Sequence, residues 1–113
     1  MRPRDDSVLL LDMLEFACRA RNAAASRSRT DLEGDPILAA ALERFIELIG
    51  EAAARLSQET REAYRDIPWR EIVALRNRLI HGYFAVDHDI LWTIVTDDIP
   101  RLIAALESLP EDA

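Results

Sequence analysis

Apolar residues recur along this chain at three- and four-residue steps, the spacing that lines one side of an α-helix. Leu10, Met13, Leu14, Ala17 and Cys18 form the first such stripe and predict a helix from about Asp5 to Ser26. The polar stretch Ser26-Arg27-Ser28-Arg29-Thr30 then reads as a frayed turn or loop, which Gly34 closes. A second helix has the clearest start: Asp35 can cap free N–H groups, and Pro36 suits the first helical position, where a missing donor costs nothing. Leu38, Leu42, Phe45, Ile46, Ile49, Ala52, Ala53 and Leu56 continue it as a nearly unbroken stripe. About 20 residues at a rise of roughly 1.5 Å make a rod of roughly 30 Å.

A short third helix is predicted after Ser57, from Gln58 to about Arg65. Ile67-Pro68 breaks it, and Pro68 restarts the chain as a fourth helix from Trp69 to about Ile80, with Gly82 as its stop. Asp87 or Asp89 can cap a fifth helix that carries Leu91, Trp92, Val95, Ile99, Leu102, Ile103 and Leu106. Pro100 falls inside that pattern and should kink or interrupt it near Thr96 to Asp98, because proline has no N–H and its ring crowds the preceding turn. Short links between long amphipathic helices bring neighbours back antiparallel. The expected architecture is an all-α, up-and-down bundle of four to five helices formed by one domain over residues 1–113.

Composition agrees with the pattern. Of 113 residues, 50% are apolar and 31% charged, which describes a folded chain with one core. Only 3 glycines and few β-branched or aromatic residues leave little from which to build a sheet. The single cysteine, Cys18, has no partner for an internal disulfide, and no Cys spacing suggests zinc. No apolar run is long enough to span a membrane, and the Met1-Arg2-Pro3-Arg4 start lacks the core of a signal peptide, so a cytoplasmic protein is expected. The net charge is −7, and all 14 basic residues are arginine. An acidic chain is a poor non-specific ligand for nucleic acid, so any RNA binding must come from a local arginine cluster.

The fourth predicted helix carries the main anomaly. Trp69, Ile72, Val73, Leu79 and Ile80 share a face, and at about 100° per residue Arg76 falls near 340°, in the middle of that stripe. Arg78 falls near 180°, on the opposite face. A guanidinium among apolar side chains needs a carboxylate, a phosphate or a wet cleft. Arg76 can therefore be a structural ion pair, with Asp12, Glu47 or Glu51 as its acid, or the cation of an anion site. His81, Gly82 and Tyr83 follow directly, and histidine is the side chain that exchanges protons near neutral pH. His88, between Asp87 and Asp89, reads as a solvated helix start rather than a metal ligand, and no metal or cofactor is expected. Arg27 and Arg29 fall in an expected flexible loop, and Arg70 and Arg78 either extend a phosphate track or line a solvated face. Met13 and Trp92 read as core, with Trp69 packed at the start of the fourth helix.

The run Arg76-Asn77-Arg78-Leu79-Ile80-His81-Gly82-Tyr83 fits the Arg-x4-His-x-Tyr signature of the HEPN superfamily. More narrowly, the chain resembles the HepT-like toxins of HEPN/MNT toxin–antitoxin systems. Leu48-Ile49-Gly50-Glu51-Ala52, Leu56-Ser57, Ile67-Pro68-Trp69, the signature, Val86-Asp87 and Trp92 follow in the family's order from about Asp5 to Leu109. The resemblance implies a helical HEPN bundle, a homodimer whose signature segments meet at one cleft, and a metal-independent endoribonuclease acting on RNA. On this sequence it makes Arg76 and His81 the catalytic pair, supported by Asn77. It also implies a minimal nucleotidyltransferase antitoxin that attaches AMP to Tyr83. Two other classes stand beside the ribonuclease: a non-catalytic module that binds a nucleotide or partner through Arg76 and His81, and a structural dimerisation bundle.

Overall fold

The computed structural model describes residues 4–81 and 85–110, with the backbone alone for Arg4 and His81. The chain is helical nearly throughout, as its periodicity predicts. Helix α1 spans Arg4–Ala24, and in the turn after it Ser26 takes a left-handed φ of 63°. The stretch Ser26 to Thr30 is turn and loop as expected, and a short helix, α2 (Asp31–Gly34), follows it before Asp35. Helix α3 (Pro36–Arg55) begins as expected: the Asp35 side chain accepts from the Leu38 N–H, with Pro36 in the first turn. Ser57 caps α4 (Gln58–Ala63) by accepting from the Thr60 N–H.

The expected fourth helix is in fact two, α5 (Trp69–Val73) and α6 (Leu75–Leu79), separated at Ala74. It also stops before Gly82, which lies outside the described residues. From Leu79 the backbone passes directly into β1 (Ile80–His81), which pairs antiparallel with β2 (Ala85–Val86) in the register Ile80 to Val86 and His81 to Ala85. The Asp87 N–H then closes on the Leu79 carbonyl. Asp87 caps α7 (His88–Thr93) by accepting from the Asp89 and Ile90 N–H groups.

The proline effect takes a definite form. Residues Ile94–Asp98 make a π-helical turn between α7 and α8 (Ile99–Glu107), with Pro100 in the first turn of α8. Pro100 cannot donate to the carbonyl four residues back, and its ring needs room there; the wider turn supplies both.

The core lies where α1 packs along α3 and α8. Met13, Ala17, Leu42, Ile46, Ile49, Leu91, Ile94 and Ile99 are wholly buried in it. Each large side chain among them contributes roughly 1.5–3 kcal/mol by leaving water. Met13 and Trp69 are core as expected, and Trp92 is partly buried against it. At one end, the buried Asp6 carboxylate ties α1 to the start of α4, accepting from the Ser57 N–H and hydroxyl and from the Thr60 hydroxyl. No described helix is long and apolar enough to cross a membrane.

Candidate active site

Helix α3 acts as the platform for the signature segment. At Gly50 an added Cβ would stand 3.4 Å from the carbonyl oxygens of Ile72 and Val73, at the edge of ordinary contact. The α5–α6 junction thus lies directly against α3 at Gly50, with room for little more than a methyl group. Beyond it the Asn77 N–H donates to the Ala74 carbonyl, one residue short of the partner a continuous helix would give it.

That junction overturns one expectation. The helical count placing Arg76 within the apolar stripe assumes an unbroken helix from Trp69, and the break at Ala74 resets it. Arg76 is 56% exposed, while Leu75 and Leu79 take the buried positions of α6. Val73, expected on the core face, is an exposed hydrophobic residue. Arg78 and Asn77 lie at the surface as well.

Of the three acids considered for Arg76, Glu47 is the one that meets it. The contact is loose, 3.9 Å from Arg76 Nε to a Glu47 carboxylate oxygen. The other Glu47 oxygen accepts a hydrogen bond of 3.2 Å from Arg44, which also lies 3.7 Å from Glu51. Glu43, one turn before Glu47, is held above its ordinary value by burial first and by the Glu47 charge second, with His88 opposing.

On the other side of α6, Arg78 donates to Asp98 at 2.9 Å. This side borders a cleft of about 280 Å³ between α5–α6 and α8, floored by Ile72, Leu75, Ile99 and Leu102. Arg76 and Asn77 do not line it.

The remaining polar groups brace the segment. His88 is not simply solvated: its Nδ1 lies 3.1 Å from Glu33, and Arg29 bridges Glu33 and Asp89. Glu33 is drawn below its ordinary value by Arg29 first and His88 second. Arg29 is thus tied to the start of α7, and Arg27 is held by Asp31 and Asp35, so neither is the free loop arginine expected.

Arg76 and Asn77 sit on α6, and the His81 backbone follows in β1. The imidazole of His81 and all of Tyr83 lie outside the described residues. Sequence reasoning did not single out Arg44 or Asp98. The three-residue spacing of Arg44 and Glu47 along α3 was a readable signal. The Arg78–Asp98 pair spans 20 positions and left none.

An exposed arginine on a short helix, in loose contact with one acid, can turn its guanidinium to a phosphate and hold two oxygens at once. Comparisons with known proteins give the chain a family. The model of a family described as ribonuclease HepT-like matches residues 13–109. A Methanocaldococcus jannaschii protein named "Putative RNase MJ1380" is 35% identical over 107 residues, covering 95% of this chain and 98% of its own. The Thermococcus cleftensis protein named "Probable ribonuclease HepT" is 42% identical over 66 residues, covering 58% of this chain and 60% of its own. No solved structure gives a significant match.

Proposed function

Because this chain belongs to the ribonuclease HepT-like family, we propose that it is a metal-independent endoribonuclease that works as a homodimer, with Arg76 and His81 as its catalytic pair. The observation that carries this reading is the exposure of Arg76. It is exposed and, among the described residues, not locked by a hydrogen bond to a carboxylate, and it lies five positions before His81 on a segment braced by α3.

Cleaving RNA without a metal needs a proton acceptor, a proton donor and positive charge at the phosphate. The 2′-hydroxyl oxygen attacks phosphorus and gives its proton to a neutral His81. The bond from phosphorus to the 5′-oxygen breaks, and the leaving oxygen takes a proton from a protonated His81. The products are a 2′,3′-cyclic phosphate and a free 5′-hydroxyl. Two copies around a two-fold axis bring two imidazoles to one cleft, so acid and base come from different protomers. Arg76 holds the phosphate oxygens and offsets the charge that grows on them. Asn77, exposed beside it on α6, supports the pair.

Tyr83 is the acceptor for AMP delivered by a minimal nucleotidyltransferase, the antitoxin of the pair. Each added AMP brings bulk and negative charge next to the cleft and repels RNA phosphates. The activity belongs in the cytoplasm, where RNA and nucleotide donors are found.

The net charge of −7 favours a second reading, a non-catalytic module that uses the same residues to hold a nucleotide or a partner. One experiment separates the two: purified protein is incubated with RNA, with and without EDTA, beside His81→Ala. The ribonuclease reading expects equal cleavage in both buffers and none by the variant, which keeps its dimer. Intact RNA together with measurable nucleotide binding would establish the module instead.

A further inference from the structure

Glu47 stands between two guanidinium groups in unequal contact. Arg44, one turn earlier on α3, hydrogen-bonds one of its oxygens at 3.2 Å, while Arg76 approaches the other only through Nε, at 3.9 Å. The Glu47 side chain is 29% exposed, whereas Arg44 and Arg76 are 57% and 56% exposed. The carboxylate is thus set into the α3 surface with its cations outside it. A contact at the Nε edge leaves the outer edge of the Arg76 guanidinium, where each terminal nitrogen presents an N–H, open to fork onto two phosphate oxygens.

We propose that Glu47 is a positioning residue for Arg76 and that Arg44 sets its strength. The idea rests on the ribonuclease reading above. Drawn toward Glu47 at its Nε edge, Arg76 is biased in direction before substrate arrives and keeps its fork open. Occupied by Arg44, Glu47 attracts Arg76 too weakly to compete with phosphate. Without the carboxylate, Arg76 swings freely and the fork misses the transition state more often. Without Arg44, Glu47 closes on Arg76 and repels the RNA that must displace it.

These two failures have opposite kinetic signatures. Glu47→Gln keeps the shape and removes the charge, so kcat should fall about tenfold with KM no higher than wild type. Glu47→Asp should recover part of that loss. Arg44→Ala should raise KM about fivefold while kcat holds, and adding Glu47→Gln should cancel the rise, because the two effects run through one carboxylate.

The test is steady-state cleavage of a short single-stranded RNA by wild type, His81→Ala and these variants, with thermal melts in parallel. A wild type that leaves the RNA whole overturns the ribonuclease reading and this proposal with it. Wild-type cleavage lost in His81→Ala but unchanged in Glu47→Gln overturns the positioning role alone. So does a Glu47→Gln loss that tracks a lower melting temperature, or an Arg44→Ala rise in KM that survives in the double variant.

Discussion

Asp98 reaches Arg78 at 2.9 Å from within a π-helical turn, so a proline-driven widening of one helix supplies the acid that holds the signature helix from the far side of Arg76. Pro100 and Asp98 therefore act on the same arginine, one by shaping the backbone and one by its charge. In Pro100→Ala the N–H returns, the ordinary helical bond to Thr96 becomes available, and the turn should tighten. The measurement is a double-mutant cycle between Arg78→Ala and Asp98→Ala in each background. With both groups partly exposed, the coupling should be about 0.5–1 kcal/mol in the parent and close to zero in Pro100→Ala. Equal coupling in both backgrounds would show that the π turn does not place Asp98.

Gly50 sits where α3 meets the end of α5, just before the signature segment. An alanine Cβ would meet the Ile72 and Val73 carbonyl oxygens at 3.4 Å, the edge of ordinary contact. Gly50→Ala should therefore change stability little, with a helix-propensity gain of about 1 kcal/mol offset by crowding. Gly50→Leu has no such room and should destabilise by about 1–3 kcal/mol, lifting the α5–α6 junction off α3. Denaturant melts of the two variants check this, and a fully stable leucine variant would contradict the packing described.

Asp6 is buried, and it accepts from three donors at the start of α4: the Ser57 N–H, the Ser57 hydroxyl and the Thr60 hydroxyl. Asp6→Ala removes the acceptor they share, leaving the buried Thr60 hydroxyl worst served, and should cost about 1–3 kcal/mol. Asp6→Asn keeps one acceptor oxygen and should cost less. Chemical denaturation ranks the two variants, and an alanine variant as stable as the parent would show that these donors find other partners.

Glu43 gives the fold a pH dependence of defined sign. Burial and the neighbouring Glu47 hold its carboxyl above the ordinary 4.5, so the folded chain binds this proton more readily than the unfolded one. Its contribution favours folding at low pH and is lost as pH climbs from the unfolded value through the raised folded one. Glu43→Gln cannot ionise. Its stability advantage over the parent should therefore be absent below about pH 4 and should grow above that until Glu43 is fully ionised in the fold. Paired thermal melts from pH 3.5 to 7 test this, and a constant difference across the range would exclude it.

Much of the architecture was legible in the order of side chains. Asp35 and Pro36 started α3, a helix followed Ser57, and Asp87, one of two candidate caps, started α7, because caps and first turns depend on residues a few positions apart. Pro100 announced its irregular turn for the same local reason. The Arg76-to-Tyr83 run, with the ordered segments before and after it, carried the resemblance that the family match bears out.

What the sequence could not decide was which way Arg76 would face. An amphipathic wheel assumes one unbroken helix, and the break at Ala74 belongs to a junction lying against Gly50 of α3, more than 20 positions earlier. The short hairpin after Leu79 and the hold of Asp98 on Arg78 arise in the same way, between segments that meet only when the chain closes. Local spacing set the helices and the chemistry they carry. Contact across the core turned that arginine outward and gave it Glu47 as a neighbour, because burial and ion pairing depend on distance in space and not on position along the chain.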